Sequence, residues 1–275
     1  MILADYHCHC YFSSDSKSKP EDMVKMAISR GLKTLCFTDH LDYLYPSEIE
    51  NDFIFNPKER QLELLQLKEL YRDDIEILIG AELGLRNEPD IKSAVKTYYE
   101  NITQEISYDF LIGSTHVLEK KDPYYKEYWE GKTIKEGITD YFSSIIHNSS
   151  FYDTFQVYGH LDYIIRYLPV EHKDYQYNEY SDLIDMALKS LLEHGKGIEC
   201  NSAGLKYQLG FPHPKVEILK RYKELGGEIL TIGSDAHKPE HIAYDFPVVK
   251  DLLESIGYRY YTVFKDQKPA FIKLS

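Results

Sequence analysis

Residues 1–40 read MILADYHCHCYFSSDSKSKPEDMVKMAISRGLKTLCFTDH. An apolar run, residues 1–8, leads into histidines, and a serine-rich link follows. An amphipathic segment, residues 20–31, opens with Pro20 and closes with Gly31. A second apolar run, residues 33–40, ends in Asp39 and His40. Proline in the first turn and glycine just past the last are ordinary helix bounds. The order is therefore strand, helix, strand, which predicts two parallel strands joined by a crossover helix.

The same unit recurs along the chain. Further strands are predicted at IEILIGAELGL (75–85), DFLIGSTHV (109–117), TFQVYGHLDYI (154–164), GIECNSAG (197–204) and EILTIGSDAH (228–237). A last hairpin is predicted from YRYYTVFK (258–265) and AFIKLS (270–275). Residues 57–73, 181–195 and 213–227 place apolar side chains three and four apart, as helices do. Seven strand units in 275 residues suit a closed α/β barrel, a distorted (β/α)7 arrangement, better than the alternative of an open doubly wound sheet. No linker, repeat or low-complexity tract divides the chain, so residues 1–275 are expected to form one domain.

In such barrels chemistry sits at the C-terminal ends of the strands. There the predicted strands carry His7 and His9, Asp39 and His40, Glu82, His116, His160, Asn201, then Asp235 and His237. Any one of these histidines reads as a core or surface residue. Six at strand ends, with Glu82 and Asp235, need shared partners, and divalent cations supply them. The other five, His147, His172, His194, His213 and His241, fall outside this pattern. Residues two apart on a strand share a face, which pairs His7 with His9 and Asp235 with His237. The same rule puts Asp5 with the histidines and turns Tyr6, Cys8 and Cys10 the other way. Cys8 then reads as a small buried residue rather than a ligand. Imidazole with carboxylate suits Zn²⁺, Mn²⁺ or Fe²⁺. The ligands are too many for one tetrahedral ion, so two or three ions are expected, with Glu82 bridging.

A formal charge of −13 argues against nucleic acid as a partner. Bound divalent ions would reverse the field locally and admit a phosphate. No apolar run is long enough to span a membrane, and the first residues lack the pattern of a signal peptide. The expected location is the cytoplasm, with reduced cysteines.

The motifs DYHCHCYFSSDS (5–16), FTDH (37–40), GAELGL (80–85), GSTHV (113–117), GHLDYIIR (159–166), IECNSAGL (198–205) and GSDAH (233–237) occur in this order. This ordered set resembles the PHP family (polymerase and histidinol phosphatase). The details are most similar to its stand-alone branch acting on L-histidinol phosphate in histidine biosynthesis. The resemblance implies a distorted (β/α)7 barrel and a trinuclear metal centre at the strand ends. It implies a first ion on His7, His9, Glu82 and Asp235, a second on Glu82, His116 and His160, and a third on Asp15, His40 and His237. Some members carry histidine where Asp15 stands. Asp39 is expected to hydrogen-bond structurally rather than to ligate.

The implied reaction is hydrolysis of a small-molecule phosphate ester, L-histidinol phosphate, by a hydroxide bridging two ions. Arg166 is the candidate for phosphate, or else a surface arginine. Ser202 is a candidate hydroxyl donor to substrate, or else turn chemistry. Asp42 and Asp162 are candidates for the substrate's cationic groups, Asp162 alternatively as a carboxylate orienting a ligand histidine. Residues 41–60 and 117–138, the latter with Trp129, are loops that either cover substrate or pack on the rim. Three competing readings keep parts of this picture: another phosphomonoester, nucleotide or nucleic acid as substrate; an amidohydrolase-type hydrolase; and a barrel that binds without catalysis. Metal content and activity separate them.

Overall fold

The computed structural model describes residues 1–49, 52–169 and 175–274, so His172 lies outside the described residues. Its strands are β1 (Ala4–Cys8), β2 (Thr34–Phe37), β3 (His40–Leu41), β4 (Glu76–Gly84), β5 (Phe110–Ser114), β6 (Val157–Tyr158), β7 (Gly197–Asn201) and β8 (Leu230–Gly233). All pair in parallel, in the order β1-β2-β4-β5-β6-β7-β8. The short β3 continues the β2 segment and pairs with β4, His40 opposite Glu82. A parallel bridge between Cys8 and Ala236 brings the two ends of the sheet together, with the His9 amide donating to the Ala236 carbonyl at 2.8 Å. The result is a nearly closed seven-unit barrel, the expected fold class. It is distorted where β6 shrinks to two residues.

The strands are apolar on both sides because the barrel interior and the surrounding helices bury both faces. The four predicted helices are present as α1 (Pro20–Ser29), α2 (Pro57–Leu70), α6 (Tyr177–Glu193) and α8 (Val216–Glu224). Three long helices were not expected: α3 (Lys92–Glu105), α5 (Ile134–Phe151) and α9 (Phe246–Ser255). Helix α5 takes over the end of the presumed 117–138 loop. Its start is marked by a capping box, in which Thr133 caps the Glu136 amide and Glu136 returns to Thr133. Two one-turn helices, α4 (Lys126–Trp129) and α7 (Ala203–Lys206), lie in loops. No helix among the described residues is long and apolar enough to cross a membrane.

The hairpin of β9 (Tyr260–Lys265) and β10 (Lys268–Lys273) is antiparallel, as expected. It closes the N-terminal end of the barrel. The Tyr6 hydroxyl donates to the Phe264 carbonyl at 2.8 Å, and Thr262 accepts from the Leu230 amide at 3.0 Å. With that end plugged, the strand C-termini are left to form the cavity.

Strict alternation fails in β1. The β1 register shifts between Asp5 and Cys8. Asp5 thereby accepts from the Ser234, Ala243 and His7 amides rather than facing the histidine rings. Tyr6 packs edge-on against Phe110, 5.3 Å between centroids, instead of meeting the helices.

Candidate metal centre

One carboxylate organises the C-terminal end of the barrel. Glu82 is fully buried near the end of β4 and is surrounded by five imidazoles. Its Oε1 lies 2.8 Å from His160 Nε2 and 3.2 Å from His116 Nε2. Its Oε2 lies 3.2 Å from His7 Nε2, 3.5 Å from His9 Nε2 and 3.1 Å from His40 Nδ1. The two oxygens thus face two different histidine sets, an arrangement suited to a bridging carboxylate.

Asp235 joins the first set, with Oδ1 3.4 Å from His9 Nε2 and 3.7 Å from His7 Nε2. Asp15 stands at the solvent edge, 2.9 Å from His237 Nε2 and 3.7 Å from His40 Nε2. His9 stacks on His237 at 4.1 Å and lies 4.3 Å from His40, so it adjoins this third group as well. All nine residues expected as ligands therefore meet in one place. His160 and Asp235 do so at positive φ, +21° and +51°. Such strain is characteristic of side chains aimed for a function.

The donor atoms fit divalent cations. His7 Nε2, His9 Nε2 and Glu82 Oε2 are buried without a hydrogen-bond partner, and the three lie within 4.8 Å of one another. Buried polar atoms are nearly always satisfied, so a converging orphan set of this chemistry matches a Zn²⁺-like ion. His116, Glu82 and His160 form a second metal-capable group, His9, His40 and His237 a third, and His40, Asp42 and His116 a fourth. Charge balance points the same way. Burial would favour neutral forms, yet Asp42 and Glu82 outweigh it and hold His116 up at about 10. His9, by contrast, is driven down to about 3 by burial and by His237 and His40. Burial would raise Glu82, but His7, His116 and His40 hold it well below the carboxylate range. An ion would take over the role of these protons.

The histidines are held from behind. Glu199, fully buried on β7, accepts from His7 Nδ1 at 2.7 Å and from the His160 amide at 2.9 Å. Asp42 accepts from His116 Nδ1 at 2.8 Å, and Ser13 meets His9 Nδ1 at 3.0 Å. Carboxylates behind ligating imidazoles fix tautomer and orientation. Glycine is required at two of these contacts. A Cβ at Gly84 would collide with the Asp42 carboxylate, and one at Gly233 with Glu199 and His7. Asp39 has the structural role expected. It accepts from the Cys10 amide at 2.6 Å and from Arg60 Nε at 2.7 Å. Among the described residues no cysteine joins a metal-capable group. Burial pushes the Cys8 and Cys10 thiols well up, away from thiolate.

A cavity of about 610 Å³ opens above the cluster. Arg166 lines it, on the 3-10 turn Tyr163–Tyr167. The guanidinium sits between the Tyr163 and Tyr207 rings, 4.9 and 4.6 Å from their centroids. It donates to Asp235 Oδ2 at 2.8 Å and to His213 Nε2 at 3.0 Å. It is not a loose surface arginine.

Three other candidates lie as follows. Ser202 is fully buried, its amide donates to the Gly233 carbonyl, and it does not line the cavity. Asp162 is also fully buried and off the cavity wall. It is engaged by His213 Nδ1 at 2.5 Å and the Lys215 amide at 2.9 Å. Asp42 reaches the cavity, but its oxygens face His116 and His40 (3.3 Å to Nδ1), and these histidines, against burial, hold it at about 2. The carboxylates of Asp42 and Asp162 are thus both already engaged by histidines. The 41–60 and 117–138 loops do border the cavity, through Tyr45, Phe53, Asp122, Tyr124 and Tyr125. Trp129 instead bonds to the Pro123 carbonyl and packs over Gly137.

Sequence reasoning missed Glu199, His213 and Lys206. Glu199 was detectable as a charge inside the apolar strand GIECN. Lys206 lines the cavity and donates to the Asp235 carbonyl at 3.0 Å. No local pattern marks it or His213.

The PHP domain family matches residues 5–203 of this chain. A histidinol-phosphatase of Lactococcus lactis subsp. lactis is 28% identical over 274 residues, covering 98% of this chain and 96% of the relative. A Clostridium acetobutylicum protein named probable histidinol-phosphatase is 31% identical over 245 residues, 89% of this chain and 90% of its own. The solved L. lactis histidinol phosphate phosphatase, in complex with Zn, L-histidinol and phosphate, superposes with a TM-score of 0.86 at 28% identity, covering 98% of both chains. A Listeria monocytogenes structure shares the fold, with a TM-score of 0.74 at 17% identity over 89% of this chain and 99% of that one.

Proposed function

Since the chain belongs to the PHP domain family, we propose that it is a metal-dependent phosphomonoesterase, acting as one domain, that converts L-histidinol phosphate and water to L-histidinol and phosphate. The observation that carries this reading is the ring of imidazoles around Glu82, with its orphaned donor atoms, at the floor of a cavity that also holds Arg166 and Lys206. Near-full-length relatives with the histidinol-phosphatase name support the substrate.

Two or three divalent ions would be held, the first by His7, His9, Glu82 and Asp235, the second by Glu82, His116 and His160, the third by Asp15, His40 and His237. Bound there, they supply Lewis-acid polarisation of phosphoryl oxygens and lower the pKa of water. The chain's own groups do the positioning. Glu199 and Asp42 fix the rings of His7 and His116 so that each presents Nε2 inward. Arg166, clamped by two tyrosines, offers a planar donor fork to phosphate oxygens. Lys206 adds a second cation on the same wall. Preorganised cations of this kind stabilise charge that develops on a transferring phosphoryl group.

The test is a substrate panel on metal-loaded protein: L-histidinol phosphate, p-nitrophenyl phosphate, nucleotides and single-stranded DNA. The expected result is a kcat/KM for L-histidinol phosphate well above the rest. Equal turnover across the panel would reject the substrate, and no turnover of any member would reject the phosphatase.

A further inference from the structure

Two walls of the cavity are loops, and one buried ion pair holds both from outside. The segment after β3 contributes Tyr45 and Phe53 to the cavity, and the segment after β5 contributes Asp122, Tyr124 and Tyr125. Beside each wall a bulky residue is left-handed, Leu44 at φ +62° and Lys120 at φ +61°. Such backbone is uncommon for large side chains and persists where the surroundings hold it. Here the surroundings are Arg86 and Glu88, which follow β4 and do not line the cavity.

The contacts form one chain. Arg86 Nη1 donates to the Leu44 carbonyl at 2.7 Å. Its Nη2 donates to Glu88 Oε1 at 2.7 Å and its Nε to Oε2 at 3.1 Å, a forked pair. Glu88 Oε1 also accepts from the Lys120 amide at 2.8 Å, and the Lys120 ammonium pairs with Asp90 of the same segment. Arg86 is 3% exposed and Glu88 8%. Burial would raise the Glu88 carboxyl, yet Arg86 and the Lys120 amide hold it below the usual carboxylate range. The pair is anchored to the barrel as well. It follows directly on β4, the strand that carries Glu82, and the hydroxyl of Tyr152, which caps α5, donates to the Arg86 carbonyl at 2.7 Å. A buried ion pair adds little net stability over apolar side chains of similar volume, and its best-attested use is to fix one arrangement.

We propose that the Arg86–Glu88 pair is a clamp that sets the width of the cavity mouth and thereby selects phosphate esters by the size of their alcohol. This rests on the reading of the cavity as a phosphate-ester site and adds to it what fixes the selectivity. The clamp is a positioning device. By holding Leu44 it places Tyr45, and by holding Lys120 it places Asp122 and Tyr124. The two walls also meet across the mouth, where the Tyr45 hydroxyl donates to Asp122 at 2.6 Å, so a shift of one displaces the other. The floor of the cavity has its own supports, since Glu199, Asp42 and Ser13 hold the rings of His7, His116 and His9. Loosening the clamp therefore changes the walls and leaves the floor.

The experiment compares wild type with Glu88→Gln and Arg86→Lys, each metal-loaded, on L-histidinol phosphate and on ethyl phosphate, whose alcohol is small. Glu88→Gln keeps an acceptor for the Lys120 amide and breaks the charge pair. Arg86→Lys keeps the charges paired and gives up the fork to Leu44, so it decides the matter if Glu88→Gln does not fold. The ratio of kcat/KM on L-histidinol phosphate to that on ethyl phosphate is expected to fall about tenfold through KM, within the roughly hundredfold that a displacement of about 1 Å can cost. The kcat on ethyl phosphate and the Ki of inorganic phosphate should stay at their wild-type values. A loss shared equally by both esters, as a merely structural pair would give, overturns the clamp. Peptide-level hydrogen exchange supplies a readout without turnover. Each variant should speed exchange in residues 42–49, which Glu88 does not touch, while β1–β8 keep their protection. Unchanged exchange in residues 42–49 overturns the clamp as well. A wild type with no preference for L-histidinol phosphate sinks the substrate reading alone, and p-nitrophenyl phosphate against ethyl phosphate then decides the clamp by the same ratio.

Discussion

Glu82 works because it has two oxygens and five imidazole neighbours. Asp39 shows the same economy of partners in a structural role. It is fully buried, and Arg60 is fully buried beside it. Burial would raise Asp39, yet the guanidinium holds it below the usual carboxylate range. Arg60→Leu would leave that charge uncompensated, and a loss of about 3–5 kcal/mol is expected in urea denaturation. Residues that act directly were the easiest to read from sequence. His7, His9, His40, His116, His160 and His237 each follow an apolar run, so a barrel rule alone gathers them. His213 escapes such reading because its partners, Asp162 and Arg166, are 51 and 47 positions away. The ring takes Asp162 on Nδ1 and offers the Nε2 lone pair to Arg166. His213→Leu should therefore raise the Ki of inorganic phosphate about tenfold or more. It should add little to the effect of Arg166→Ala, since both remove one interaction. Full additivity of the two would refute the link.

At the scale of elements, short strands and tight glycines set the geometry. Gly84 ends β4 directly against the Asp42 carboxylate, and Asp42 holds His116. Gly84→Ala is expected to cost about 1–3 kcal/mol, as overpacking does. It should also lower turnover by displacing His116, which paired denaturation and p-nitrophenyl phosphate assays would show. The strands were legible because barrel strands are apolar on both faces and flanked by helices. Helix α5 was not, because its first residues, 134–138, read as the end of the 117–138 loop. The β1 register shift could not be seen either. It turns Asp5 toward Ser234, a neighbour that exists only once β8 lies beside β1.

For the whole molecule, net charge and local charge point in opposite directions. The chain carries −13, while the cavity floor gathers six histidines, Arg166 and Lys206 around Glu82, Asp15 and Asp235. Under the proposed metal assignment, binding should be linked to folding, since the candidate ligands come from β1 and the segment after it, β3, β4 and the segments after β5, β6 and β8. At a free metal level of about a hundred times Kd, one such site adds about 2.7 kcal/mol. Chelation should lower the melting temperature by roughly 5 °C or more. An unchanged melting curve after complete chelation would contradict this linkage.

The most direct test of the central claim is the metal content of wild type and Glu82→Ala, measured by mass spectrometry beside turnover of L-histidinol phosphate on the same samples. Wild type is predicted to hold two or three ions per chain. Glu82→Ala should lose at least one ion, and its kcat should fall by about 10³-fold or more, the scale of lost metal-ion stabilisation. A Glu82→Ala protein that keeps both its ions and its turnover would contradict the account, as would a fully active wild type with fewer than two ions.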